Sequence, residues 1–423
     1  MGLTLIEKIL LRASRKKQFT DFVYAKVDFC FGNDITAPLA VKQFYNAHFK
    51  RVFNPRKVAF VCDHFVPARD LKASNNVKIL RDFSRKFGIK NFFDINNCGI
   101  EHVFLLEKAF FKPGDLIVGA DSHTCTFGAI GCASFGVGST DLAGVMSEGK
   151  CWFKVPSTIK FIYKGKIPPW IYGKDLILYT IGKIGVDGAL YKVMEFSGPV
   201  IKHLDMEQRL TITNMAIEAG AKTAIIEPDE KTLKYLGRFT KKRLKIDDIR
   251  DLRSDKSAQY DDIIEIDVSK IEPQVACPHL PSNTKPVSKL KKVVLNQVVI
   301  GSCTNGRISD LRQAAFIFRR KKVKKGLRVI IIPATPFIFR QAEKEGLIRI
   351  FLEAGCVICP PTCGPCLGGH CGILDDKEIA LSTTNRNFIG RMGSPKSFVY
   401  LSSPVVAAAS AITGRITHPR EIN

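Results

Sequence analysis

Five of the chain's 13 cysteines crowd one short stretch: Cys356, Cys359, Cys363, Cys366 and Cys371. Within it, Cys363-Gly364-Pro365-Cys366 is a C-x-x-C step, preceded by Pro360-Pro361 and followed by Gly368-Gly369. Alone, such a step suits zinc, a redox pair or an iron–sulfur cluster. A thioredoxin-type pair would follow a strand and open a helix with no further thiols nearby. A structural zinc site would take four ligands at paired spacing, and these cysteines do not form two such pairs. A ferredoxin-type run needs three closely spaced cysteines and a fourth before proline. Cys359, Cys363 and Cys366 come near that pattern with the wrong spacing. The glycines let backbone approach a bulky group, whose sulfides can then accept N–H bonds. Cys303 breaks the tie. It lies far away in sequence, in Gly301-Ser302-Cys303-Thr304-Asn305-Gly306-Arg307, directly after an apolar run. Three thiolates leave one iron of a four-iron cluster without a protein ligand. Such an iron can take a hydroxyl and a carboxylate and act as a Lewis acid, stabilising charge by roughly several kcal/mol.

These loops need elements to hold them, and a pattern of abrupt strand ends supplies them. Lys57 to Val61 leads into Cys62-Asp63-His64, and Asn91 to Ile95 leads into a polar stretch ending at Glu101-His102. Asp115 to Ala120 leads into Asp121-Ser122-His123-Thr124, and Val293 to Ile300 leads into the Cys303 loop. Helical patterns lie between, such as Asn76 to Phe87 with Gly88 as the C-terminal cap. Short strands alternating with helices predict an α/β fold with mostly parallel sheets. In such sheets functional groups collect beyond the carboxyl ends of strands. A single histidine there would be an ordinary core or surface residue; the repetition is the signal. Gly128 to Gly144 is rich in Gly, Ala and Ser but lacks both the P-loop ending and the dinucleotide spacing. Close backbone packing is the better reading. Linker-like segments near Pro156 and from Pro278 to Pro286 divide the chain into three α/β domains: 1–156, 157–285 and 286–423, the last carrying the cluster cysteines. No internal repeat is visible.

The totals set limits. A chain of 423 residues suggests roughly two to four domains. Hydrophobic content of 45% and charged content of 25% are those of a soluble globular protein. No apolar run reaches the roughly 18 residues a membrane helix needs. Met1 to Phe19 is no secretory signal. Leu3, Ile6, Ile9 and Leu10 have the spacing of a short amphipathic helix, with a basic patch from Arg12 to Lys17, and Glu7 argues against a transit peptide. Many cysteines without a signal peptide point to metal chemistry in a reducing compartment, hence the cytoplasm. The formal charge is +24. The lysines are spread along the chain and interleaved with acids, as in Lys231 to Lys256 with Asp247, Asp248, Asp251 and Asp255. A solvated basic surface, attractive to anionic substrates, is therefore favoured over a nucleic-acid groove.

At the cysteine loops and strand ends the sequence resembles the aconitase superfamily. Matching stretches run almost end to end: Asp34 to Pro38, Cys62 to His64, Gly119 to Thr124, Asn214 to Gly220, Gly301 to Arg307, Cys363 to His370, Thr383 to Arg391 and Tyr400 to Gly414. The Gly301 loop and Thr384-Asn385-Arg386-Asn387 are the most specific. The resemblance implies three α/β domains around one 4Fe-4S cluster bound by Cys303, Cys363 and Cys366. It implies that His64, paired with Asp63, protonates a departing hydroxyl. Pairs of His102 with Asp121 and His123 with Glu218 would handle water and the leaving hydroxide, acid–base help typically worth roughly 100- to 10,000-fold. Asn214 and Asn385 would hydrogen-bond around the cluster. Arg386 and Arg391 would bind substrate carboxylates through planar guanidinium forks. The implied activity is that of a hydro-lyase which removes and re-adds water on a small hydroxy-dicarboxylate. The isopropylmalate branch of leucine biosynthesis fits best. The homocitrate branch of lysine biosynthesis and a non-enzymatic iron–sulfur protein are the alternatives. Large family members carry a fourth, mobile domain, and this chain stops soon after the third. A separate small, swivel-domain subunit forming a heterodimer is therefore expected. Cys371 stands where relatives usually carry an apolar residue; for Cys359 and Cys371, small buried apolar roles are expected over contact with the cluster.

Overall fold

The computed structural model describes residues 2–16, 18, 21–240 and 244–422. The chain forms two compact units. One comprises residues up to Lys164 together with Ala189–Ile266; the other comprises Gly165–Gly188 and everything from Asp267 onward. The three segments expected from the linkers cut across this division, because Gly165–Gly188 and the 267–285 stretch belong to the second unit.

In the first unit the strands are β1 (Phe22–Lys26), β2 (Phe29–Asn33), β3 (Val58–Val61), β4 (Asn91–Phe93), β5 (Leu116–Gly119), β6 (Ala133–Gly136), β7 (Lys150–Lys154), β8 (Thr158–Lys164), β9 (Val193–Ser197), β10 (Thr223–Ile225) and β11 (Asp262–Asp267). A five-stranded sheet has the order β4-β3-β2-β5-β6, and all its pairings are parallel. Every residue of β2, β3 and β5 is buried, which suits their largely apolar sequences. The chain walks outward from β2 to β4, then returns to β5 beside β2. Loops leaving β2 and β5 diverge there, which is the usual place for ligand chemistry in an open α/β sheet. A second sheet has the order β10-β9-β8-β11, and β1 pairs with β7 in a short antiparallel ribbon.

The helix expected from Asn76 starts earlier and spans Leu71–Phe87, with Asp70 accepting from the Ala73 N–H and Gly88 closing it at φ 68°. In its first turn only Ala73 is buried and Leu71 is 90% accessible, so apolar periodicity does not reveal it. The N-terminal helix spans Leu5–Ser14, capped by Thr4 and Glu7, and buries Leu5, Ile6, Ile9 and Leu10. Met1, Lys17 and Phe19 of that expected segment lie outside the described residues. The small-residue stretch does serve close packing: a Cβ on Gly128 would lie 1.8 Å from the Ala224 carbonyl oxygen.

The second unit contains β12 (Gln274–Ala276), β13 (Thr284–Pro286), β14 (Gln297–Ile300), β15 (Arg328–Ile331), β16 (Val357–Ile358), β17 (Ile379–Ser382) and β18 (Phe398–Leu401). They form one sheet in the order β13-β12-β18-β17-β14-β15-β16. Only β12 runs antiparallel to its neighbours; β14 to β18 are parallel. Their order, β16-β15-β14-β17-β18, repeats that of β4-β3-β2-β5-β6. The repeat lies in the topology and leaves no trace in the sequence. Mostly parallel sheets with connecting helices are the α/β architecture expected.

Candidate active site

In the first unit, four strand ends bring their polar residues together. After β2, the buried carboxylate of Asp34 accepts three backbone N–H groups, from Asp63 (3.0 Å), His64 (2.9 Å) and Phe65 (2.8 Å). This fixes the turn after β3. Asp63 Oδ1 then meets His64 Nδ1 at 2.7 Å, and its Oδ2 accepts the Glu101 N–H at 2.7 Å. The bond to Nδ1 leaves Nε2 as the outer ring nitrogen. Burial disfavours the His64 cation, but the charge and hydrogen bond of Asp63 raise its pKa well above the ordinary value.

After β5, Asp121 sits between two imidazoles. His102 Nε2 lies 3.4 Å from its Oδ1 and His123 Nδ1 lies 3.5 Å from the same oxygen. The backbone N–H of His123 donates to it at 2.8 Å. Burial works against the Asp121 charge, yet His102 and His123 hold its pKa well below the carboxylate range. His123 Nε2 meets Glu218 Oε1 at 2.9 Å. The structure thus joins His64 to Asp63 and His123 to Glu218 by hydrogen bonds, and sets His102 within ion-pair distance of Asp121. The sharing of Asp121 by two rings is additional. Asn214 is buried in this unit, and its side-chain amide donates to Thr126 Oγ1 at 2.8 Å.

In the second unit, Cys303, Cys363 and Cys366 are all buried. Cys303 follows β14 and Asn385 follows β17, neighbouring strands at the point where the order reverses. Asn385 Nδ2 donates to Cys303 Sγ, and Cys366 Sγ approaches Asn385 Oδ1, both at 3.3 Å. One amide thus ties together two thiols that stand far apart in sequence. Cys363 joins them through the short turn Gly364–Leu367. Soft thiol donors, buried and gathered this way, suit an iron–sulfur cluster. Arg386 and Arg391 are half-buried in the same unit, and Arg391 Nε is buried with no hydrogen-bond partner among the described residues.

Cys359 and Cys371 do not take small buried apolar roles. Both are half-buried and their thiols touch each other, and His370 Nδ1 stands 2.7 Å from Cys371 Sγ. Prolines 360 and 361 keep this stretch out of regular structure, so Cys359 is not absorbed into the core.

Sequence reading missed three residues. Asp34 follows an apolar run directly, a usable signal, but its partners lie about 30 residues away. Glu101, fully buried beside His102, carries no sequence signal of its own. Lys174 carries no motif signal at all. It lies in the helix Gly173–Ile184, is 1% exposed, and donates to the carbonyls of Thr383 (2.8 Å) and Thr384 (2.6 Å). It thereby holds the backbone just before Asn385. Burial pulls its pKa down to about 7, against the opposing charges of Asp310, Cys303 and Cys366.

The family model described as the aconitase family (aconitate hydratase) matches residues 7–294 and 283–414. The chain belongs to the aconitase family, whose chemistry implies an iron–sulfur cluster. It is 58% identical to the 3-isopropylmalate dehydratase large subunit 1 of Pyrococcus furiosus, covering 100% of this chain and 99% of that one. It is 54% identical to the 3-isopropylmalate dehydratase large subunit of Halothermothrix orenii over the full length of both. Among solved structures, aconitase X of Thermococcus kodakaraensis (holo-form) shares the fold, with a TM-score of 0.50 and 12% identity over 90% of this chain and 89% of that one.

Proposed function

We propose that the chain is the large subunit of a cytoplasmic 3-isopropylmalate dehydratase, which isomerises 2-isopropylmalate to 3-isopropylmalate in leucine biosynthesis. The observation that carries this reading is identity of 54–58% over the whole chain to relatives of that name. The three buried thiols, the imidazole–carboxylate pairs and the guanidiniums are the donor set such a hydro-lyase needs.

Cys303, Cys363 and Cys366 would hold one 4Fe-4S cluster, with Asn385 bonding two of the sulfurs. When bound, the cluster supplies a Lewis acid that polarises the substrate's carbon–oxygen bond. His64 donates the proton that lets the hydroxyl leave, and Asp63 keeps its tautomer and its charge. Asp121, held ionised between His102 and His123, keeps both imidazoles able to take or return a water proton. Glu218 orients His123 from its other side. Arg386 and Arg391 bind the carboxylates of the hydroxy-dicarboxylate. A small subunit, paired as a heterodimer, supplies the base that takes the carbon-bound proton. Among the described residues no two cysteines form a disulfide, as suits a reducing compartment.

The test is anaerobic reconstitution of the chain with iron and sulfide, followed by mixing with its small subunit. Conversion of 2-isopropylmalate, with homocitrate turned over far more slowly, is expected. Preferential turnover of homocitrate would reassign the substrate. Full activity in Cys303→Ala would overturn the cluster assignment.

A further inference from the structure

One carboxyl of the first unit takes no part in the three pairs. Glu101 opens the helix Glu101–Glu107 and is completely buried. Its Oε1 accepts from Asn33 Nδ2 at 2.9 Å and stands 4.0 Å from His102 Nδ1. Its Oε2 is buried and has no hydrogen-bond partner among the described residues. A carboxylate oxygen of Glu101, a ring nitrogen of His64 and an oxygen of Asp121 all lie within 4.8 Å of one another. Asp63 is also adjacent, since it accepts Glu101's own backbone N–H.

Carboxylates gathered this closely repel one another, and the one with the fewest compensating donors and cations holds its proton most tightly. The hydrogen bonds say which. Asp34 accepts three backbone N–H groups. Asp63 accepts a backbone N–H and faces the His64 ring. Asp121 faces His102 and His123 and accepts a backbone N–H. Each of these carboxylates has backbone or ring N–H groups against it. Glu101 has one amide donor from Asn33, the last residue of β2, and one bare oxygen. An unpaired buried charge there would cost far more than an unpaired buried O–H.

We propose that Glu101 is held as a neutral carboxylic acid and acts as a positioning residue, keeping an extra negative charge away from His64, His102 and Asp121. Burial, followed by the charges of Asp63 and Asp121, raises its pKa well above the ordinary value. The inference rests on the first unit alone; its first test needs neither the cluster nor the hydro-lyase reading.

That test is thermal unfolding of the cluster-free full chain and of Glu101→Gln across pH. A folded pKa above the unfolded one means a contribution fully present below about pH 4.3 and lost progressively as pH rises toward the folded value. Glutamine, a neutral isostere, has no such term. The Tm of Glu101→Gln relative to the parent should therefore climb as pH rises through and beyond the ordinary glutamate range. A difference independent of pH, or one that falls with pH, overturns the proposal. Should the variant not fold, infrared spectra of the parent chain with 13C-labelled glutamate decide. A protonated-carboxyl band persisting at about pH 7, where ordinary glutamates are ionised, is expected, and its absence overturns the idea. In the reconstituted enzyme, Glu101→Gln should keep activity to higher pH than the parent. A purely structural role would lower activity without moving the alkaline limb.

Discussion

The two units set their strands in the same order and arm them with different chemistry. In the first, the loops after β2, β3, β4 and β5 carry Asp34, Asp63-His64, Glu101-His102 and Asp121-His123. In the second, the loops after β14, β16 and β17 carry Cys303, Cys363 with Cys366, and Asn385-Arg386. Parallel strands ending at one edge of a sheet gather whatever their loops bear. The first unit gathers groups that titrate, and hydrogen bonds divide them into charged and neutral members. The second gathers soft donors and the amide that links them, with a buried lysine behind. On the proposed function, proton transfer and metal holding fall to separate copies of one strand order, and substitutions in each should separate the two roles.

The sharpest way to separate them is at Cys303. Cys303→Ala should leave the folded chain intact, because a small buried side chain replaces another. It should abolish cluster retention and reduce turnover below detection. Iron content beside far-ultraviolet circular dichroism would check both halves of that statement. Asp63→Asn makes the matching cut in the first unit. Iron content should stay unchanged while kcat falls by roughly 100- to 10,000-fold, the usual worth of acid–base help. The pH profile carries the sign. Asp63 raises the His64 pKa, so His64 keeps its proton to higher pH in the parent. Without Asp63, the alkaline limb should move to lower pH.

The Asp63-His64 and Asp121-x-His123 steps are local in the sequence, whereas the pairing of His102 with Asp121 and of His123 with Glu218 was expected only from the family resemblance. An apolar run of four or five residues ends, and an Asp-His or Asp-x-His step follows within three positions. Cys303, Cys363 and Cys366 were legible for their residue type and glycine-rich surroundings. What escaped depends on contacts across sequence. Asp34 acts on residues about 30 positions away, and Glu101 matters only because Asn33, His64 and Asp121 converge on it. The start of the helix at Leu71 was hidden by a largely solvent-exposed first turn. The repeated strand order was hidden too, since it fixes only where strands sit and not what they are made of.

Lys174 is the clearest case of such a hidden residue. Its ammonium reaches more than 200 positions along the chain to the carbonyls of Thr383 and Thr384. Lys174→Met keeps the bulk but leaves two buried carbonyls without a donor, at a cost of roughly 2–4 kcal/mol. Denaturant unfolding of the cluster-free chain should show that loss. The reconstituted protein should also release iron faster, because the backbone that carries Asn385 is no longer tied. A loss of stability with unchanged iron retention would make Lys174 a core residue and nothing more.

The smallest expected effect tests the one strand end where the two copies differ most. The loop after β3 carries Asp63-His64, whereas the loop after β15, its counterpart in strand order, carries Ile332-Pro333-Ala334-Thr335. Thr335 is buried, and its hydroxyl accepts the Ile338 N–H at 3.1 Å, capping the helix Pro336–Lys344. If the second unit has given up proton chemistry at this position, the loop is only a helix start. Thr335→Ala should then lower stability by about 1 kcal/mol, the usual worth of an N-terminal cap. Turnover and its pH profile should be unchanged. A shifted pH profile in Thr335→Ala would mean that the second scaffold also handles protons, and the division of labour between the copies would fail at that strand.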